Sequence, residues 1–482
     1  MTWRRLALPA LGAALVALLP GPGARAAGPT VGPDYVASDN VRFIENIRLP
    51  GQAAGAKVIG HYLYVTSSKD IEIYDITTPS APALVSQLSD VEIGWENEQV
   101  PTNGRILGFS QQGTGYAFVS AGGCATVNQS TTNCLVIWDV TDKANPKIIT
   151  TISGAGDHTS TCVFDCRYMI GSSGSVSDLT HVMDAGHPAT KISTGSGWQT
   201  GLPGKSCHNQ TEVSPGLVLA ACAPFELVSF RAQDGATMLK PRLLATGTAP
   251  DGRFIHGVDW PQQGTDRFVV EGGETNVTPN CDLQNSAAFS TWDATQARTT
   301  GKFRLITDYK LHNGDYIDGS PPANISGCST HWFESHPTFH NGGLIALANY
   351  EHGDRFLQIT PTGGIVEVGL FEGLGGAASA MHWAPNSNVV YSIDYQRGID
   401  VLEWTGPLYV PQSASDGASA AGTGVAAAGA AGGLANTAGA AAGAAGAGAA
   451  ALALAVATLG GLRCRRRGAA AIAGRRRGSA PP

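Results

Sequence analysis

Five histidines recur along the middle of this chain, His158, His208, His256, His331 and His382, at intervals of 50, 48, 75 and 51 residues. Imidazole nitrogen ligates iron, copper, zinc and nickel, and a ligating histidine needs its second ring nitrogen oriented by a carboxylate or a carbonyl. Asp157, Glu212, Asp259 and Glu334 lie one to four residues from these histidines and are candidates for that second role. Brought to one point, a subset of the five would hold one Fe, Cu or Zn ion with an open coordination position. The competing expectation is structural: a feature that recurs once per repeat is explained first by the repeat. In that case each imidazole bonds one inner strand to the neighbouring unit.

Other chemistry is less well supported. HWFESHPTFH, residues 331 to 340, carries three histidines in ten residues, but Pro337 breaks any regular face, which excludes a helix-borne zinc pair. No nucleophile elbow, phosphate-cradling loop or dinucleotide fingerprint occurs in a strand-turn-helix setting. Trp260, Trp332 and Trp383 follow ring histidines closely and are expected to pack within the repeats.

The elements that must position the histidines announce themselves by repetition. IEIYDITTPSAPALVSQL (Ile71 to Leu88) and LVIWDVTDKANPKIITTI (Leu135 to Ile152) align at an offset of 64, so that Ile73, Asp75, Thr77 and Pro82 meet Ile137, Asp139, Thr141 and Pro146. Apolar residues come in short runs rich in Val, Ile, Tyr and Trp, separated by Gly, Pro, Asn and Ser, which is an all-β pattern. The runs recur in groups roughly every 45 to 60 residues, as the blades of a propeller do. Within each unit the aspartate at the end of the third strand is placed to accept backbone N–H groups of the next turn, and the later proline fixes φ where the fourth strand starts.

This template predicts third strands at 71–76, 135–140, 179–185, 226–231, 289–294, 356–360 and 399–404, hence a seven-bladed all-β propeller. The turn shortens after Asp184, LVSFRA has no aspartate, and Thr360 replaces it in FLQITP. The last unit lacks a fourth strand, whereas Val41 to Leu49 reads as a strand without a unit. Placing that N-terminal strand as the outer strand of the last blade closes the ring; Pro407 to Val410 is the alternative. Residues at equivalent blade positions then form a ring about the axis, so the histidines converge. Seven-bladed oxygenases that hold iron with histidines from different blades show that such a scaffold can carry such a site, an analogy between folds alone.

IEIYDITTPSAP and LVIWDVTDKANP resemble the LVIVD repeat of exported bacterial β-propeller proteins. HNQTEVSPGLV, FIHGVDWP, HWFESHPTFHNGGLIAL and YQRGIDVL also resemble segments of an actinomycete-type branch of such proteins, so that the resemblance covers most of 41–405. It implies the fold and an exported location but no settled activity. Histidine is common at this position in such repeats, which favours the structural expectation.

Both ends read as membrane-targeting devices. Arg4 and Arg5, the apolar run Leu6 to Leu19 and the small-x-small pattern Ala24-Arg25-Ala26 predict a signal peptide over 1–26. The propeller is expected over 27–410, a flexible Ala/Gly/Ser linker over 411–439, a transmembrane helix over 440–462 and a basic cytoplasmic tail over 463–482. LANTAG, residues 434 to 439, resembles a sortase sorting signal, but Ala438 stands at the motif's glycine position.

Setting aside Arg4, Arg5, Arg25 and the seven tail arginines leaves 21 basic residues. Setting aside Asp416 leaves 37 acidic ones, so the central region has a net charge of −16. An acidic surface repels phosphate backbones, which excludes nucleic acid as a partner. Eight of the nine cysteines fall in the exported part, an even count that points to disulfides. Cys124 with Cys134, Cys162 with Cys166 and Cys207 with Cys222 are each close enough to bridge one hairpin, which leaves Cys281 with Cys328, although spacing alone does not fix connectivity.

The sequence therefore predicts a monomeric, surface-anchored, non-enzymatic propeller that binds a protein or glycan partner at the cell membrane or cell wall. The alternative is a metal-dependent enzyme with a histidine-ring site at the propeller axis.

Overall fold

In the computed structural model, residues 30–88, 98–111, 134–184, 186–193, 197–205, 207–274, 287–311 and 329–408 are described. Their strands form seven antiparallel sheets in chain order around an axis, six of them with four or more strands. In five sheets the strands run from inner to outer in the order of the sequence, as Ala53–Ile59, Tyr62–Ser67, Ile71–Asp75 and Ala83–Leu88 do in the first blade, and the other two add N-terminal strands at their outer edge. The second blade pairs three strands, Ile106–Gln111, Cys134–Asp139 and Lys147–Ser153, and its innermost segment follows Glu98. That segment is tied inward by a parallel bridge from Gln99 to Ala56 and outward by the Gly108 N–H donating to the Pro101 carbonyl at 2.9 Å.

The hydrophobic core is divided seven ways. Each main cluster of buried side chains joins two neighbouring blades, for example Leu219, Phe225 and Leu227 of the fourth with Ile255, Val269 and Trp292 of the fifth. The same holds for the first and second, second and third, third and fourth, fifth and sixth, sixth and seventh, and seventh and first. A single blade buries neither face, so the stabilisation of about 1.5–3 kcal/mol per fully buried Leu, Ile, Val or Phe is obtained only when blades stack.

The N-terminal strand closes the ring. Val41–Ile47 is the outer strand of the seventh blade, pairing Val41 with Trp404 and Ile47 with Ile399. Arg397 fixes the join: its guanidinium donates to both Asp400 carboxylate oxygens, at 2.8 and 2.9 Å, and Asn46 donates to Asp400 at 2.9 Å. Ahead of it, Tyr35–Ala37 extends the outer edge of the sixth blade, pairing Tyr35 with Gly373.

The turn aspartates act as the sequence predicts. Asp75 accepts the Thr77 N–H at 2.7 Å, Asp139 that of Thr141 at 2.8 Å, and Asp293 that of Thr295 at 2.9 Å. The third blade requires a correction. Its third strand is Val176–Asp178 rather than 179–185, and the capping aspartate is Asp178, which accepts the Thr180 N–H at 2.9 Å. The shift has a plain cause: Asp178-Leu179-Thr180 is itself the D-x-T of the repeat.

Cys162–Cys166 and Cys207–Cys222 are disulfides, which suits an oxidising compartment. Cys134 is also disulfide-bonded, while Cys124, Cys281 and Cys328 lie outside the described residues. So do the segments expected to form a signal peptide, a linker, a transmembrane helix at 440–462 and a basic tail. Among the described residues no helix is long and apolar enough to cross a membrane.

Candidate metal centre at the propeller axis

Axial residues come from the inner strands or from the segments just ahead of them, and in some blades a backbone irregularity aims them. In three blades the pairing of the inner strand with its neighbour skips one residue, at Ala54, His256 and Ser379. Such a bulge leaves the extra residue out of the ladder and redirects its side chain. His158, His208 and His331 stand just ahead of the strands Ser160–Val163, Gln210–Ser214 and Phe333–Ser335.

Four of the predicted histidines meet at one point, and what they meet is Glu98. His256 Nε2 lies 3.0 Å from its carboxylate, His158 Nε2 3.4 Å, and His208 and His331 Nε2 3.5 Å each. Neighbouring imidazoles are 4.8, 4.0 and 4.2 Å apart between ring centroids, in the order 158, 208, 256, 331. The Trp332 indole N–H donates to Glu98 Oε2 at 3.0 Å. Glu98, His208, His256 and His331 are all buried. Two groups, Glu98 with His256 and His331, and Glu98 with His158 and His208, each bring three ligand atoms within 4.8 Å of one another.

Electrostatics suits these groups to ligation. Burial opposes ionisation of Glu98, but the four histidines, His331 foremost, outweigh it and hold the carboxyl well below its usual range. Burial, then the neighbouring His256, pushes His208 well below the ordinary imidazole range; burial and His331 lower His256. Both rings are thus neutral at pH 7, with lone pairs available. Burial also disfavours a charge on His331, but Glu98 outweighs it and raises that pKa.

The tautomer of His331 follows from its partners. Its Nδ1 lies 2.6 Å from the Ser379 carbonyl oxygen, which only accepts, so Nδ1 carries the proton. In the neutral ring Nε2 is then a bare lone pair aimed at the Glu98 carboxylate. Two lone-pair sites facing each other in a buried space require a cation between them, either a proton on Nε2 or a metal ion.

His382 does not belong to the ring. The residue that the seventh blade sends to the axis is Ser379, 48 residues after His331, the same interval that separates His208 from His256. His382 lies three residues further along the strand, where its Nδ1 is 3.5 Å from Glu334. Glu334 also accepts the Trp383 N–H at 2.7 Å. Burial opposes its ionisation, but His382 outweighs that and keeps its carboxyl below the usual range. Asp259, three residues beyond His256, is pushed up to about 6 by burial and by Glu334. Asp259, Glu334 and His382 thus form a second level, separate from the four histidines.

Two other sequence candidates for orienting the histidines are engaged elsewhere. Asp157 accepts from Ser173 and, at 2.6 Å, from Ser175; Glu212 accepts the Phe164 and Gly216 N–H groups at 2.8 and 2.6 Å. Ties between blades are made chiefly by hydroxyls: Thr159 to the His208 carbonyl, Thr211 to that of Val258 at 3.0 Å, and Ser379 to that of Ala54. His331 takes on the tying role expected of the set, through the Ser379 carbonyl.

Residues 50–90 match the family model of the LVIVD repeat. No curated protein matches the chain in sequence. Among solved structures, the chain is similar to the β-propeller domain of Myceliophteria thermophila Cps50 (Swd1), at 12% identity and a TM-score of 0.48 over 75% of this chain and 99% of that one. It is similar also to the computationally designed Ika8 protein, at 11% identity and a TM-score of 0.41 over 75% and 98%. The blade count rests on the strand order given above. Propellers typically serve as interaction and binding scaffolds, with function set by the site each one carries.

Proposed function

We propose that this LVIVD-repeat propeller is an exported metalloprotein that holds one transition-metal ion on its axis through His158, His208, His256 and His331, with Glu98 as the anionic group. The observation that carries the reading is the convergence of four imidazole Nε2 atoms, from four blades, within 3.0–3.5 Å of one buried carboxylate, Glu98. Four imidazoles and one carboxylate suit iron, copper or zinc, and such a set leaves room for a small ligand at the ion. The reaction class follows the identity of the ion, redox with iron or copper and hydrolytic with zinc.

Elemental analysis of the purified full-length chain is expected to find near-stoichiometric iron, copper or zinc, lost in His208→Ala and His256→Ala. A folded, metal-free wild-type protein that takes up none of these ions on dialysis would end the proposal.

A second reading, a module for a glycan or protein partner at the cell surface, draws on a groove of about 780 Å³ between the third and fourth blades. Phe164, Tyr168 and Arg231 line it, two half-buried rings and a guanidinium that suit a sugar. Binding to a glycan array that disappears in Phe164→Ala and Tyr168→Ala supports this use; a wild-type chain that retains no glycan rules it out.

A further inference from the structure

We propose that Glu274, held by the hydroxyl of Tyr350, is the positioning carboxylate of the axial centre, orienting His256 and His208 through their outer ring nitrogens. The inference rests on the metal-binding reading and deepens it.

A metal-ligating histidine donates its second N–H to a carboxylate, a carbonyl or water, which fixes tautomer and ring orientation. His331 meets this need with the Ser379 carbonyl. The Nδ1 atoms of His208 and His256 are buried without a hydrogen-bond partner. Glu274 is the group within reach: it, His208 and His256 each bring one ligand atom within 4.8 Å of the others. The fold places it there, because Glu274 ends the second strand of the fifth blade and pairs across from Phe254, two residues before His256.

Tyr350 provides independent support. Its hydroxyl donates to Glu274 Oε1 at 2.7 Å, leaving Oε2 to accept from an imidazole. Its ring lies 4.4 Å from that of His331, so the same residue touches both sides of the centre. Its backbone is left-handed, φ 47°, a conformation that costs a bulky residue roughly 1–3 kcal/mol and that persists where surrounding structure enforces it. Paired backbone bonds with Ala378, at 3.0 and 2.8 Å, do the enforcing. A strained tyrosine whose hydroxyl fixes a carboxylate beside two unpartnered imidazole nitrogens is explained if that carboxylate sets their orientation.

The test titrates the apo full-length chain with cobalt(II), followed by its visible ligand-field absorption, in wild type, Glu274→Gln and Tyr350→Phe. Glu274→Gln is expected to weaken binding by about 10–100-fold and to shift the absorption bands, and Tyr350→Phe to do both in the same direction to a smaller extent. A purely structural role would change thermal stability and leave the bands in place. If Glu274→Gln does not fold, Tyr350→Phe, which removes one hydroxyl, decides. Wild-type affinity and bands in the folded variants overturn the inference while leaving the metal reading intact. A wild-type chain that takes no cobalt overturns both.

Discussion

The repeat writes two positions into its blades, and they behave in opposite ways. At the end of the third strand it places an aspartate, and Asp75, Asp139, Asp178 and Asp293 each accept the N–H two residues ahead. At the axial position it places different residues, among them Ala54, Glu98, His158, His208, His256, His331 and Ser379, and their partners lie in other blades. The first position is visually the stronger motif and is finished locally. A repeated residue whose partner lies within its own turn maintains one unit, whereas a repeated residue whose partner lies across the axis depends on all of them.

Four experiments press on that contrast, in descending order of expected effect. Replacing His256 with alanine should weaken metal binding by more than the roughly 10–100-fold typical of losing an orienting group, since a ligand itself is removed. Isothermal titration reads it, and unaltered affinity would remove His256 from the centre.

The second concerns pH. Glu98 raises the pKa of His331, while burial lowers those of His208 and His256, so His331 is the ring whose positive charge an incoming ion displaces. Affinity should therefore fall by about tenfold per unit as pH drops below the His331 value, and level off above it. A pH-independent affinity would contradict the assigned tautomer.

The third turns to the other position. Asp139→Ala should cost about 0.5–1.5 kcal/mol in denaturant unfolding and leave metal binding unchanged. Loss of metal in this variant would mean that the turn and the axis are coupled after all. The smallest effect is assigned to His382→Ala, which should leave metal content as in wild type; a depleted variant would return His382 to the ring.

Much of this was legible in the sequence. Alternating runs, turn aspartates and an unassigned strand at 41–49 sufficed for seven blades and their closure, because each signal is local. The interval brought out five histidines, of which the fold gathers four around Glu98. His382 lies apart because the seventh blade bulges at Ser379, three residues earlier, and an approximate period of about 50 residues does not resolve so small an offset. The equal spacings of His208 to His256 and His331 to Ser379, both 48, were the clue. Glu98 was missed because its blade carries no histidine and its segment, GWENEQVP, has no counterpart in the repeat. Glu274 was beyond reach, since only the folded pairing with Phe254 brings a second-strand end to the axis.

The closing strand has a consequence for the life of the chain. Val41–Ile47, made early in synthesis, waits for Gly398–Trp404, more than 300 residues later, before the last blade is complete. Such a distant pairing makes folding slow and places its last step after the whole propeller has been made. A chain cut short before residue 378 carries all four axial histidines and Glu98, yet lacks the seventh blade whose Ser379 carbonyl accepts the His331 Nδ1 proton. On the proposed metal reading, loading would report completion: the closed molecule would take the ion, and a truncated copy would not.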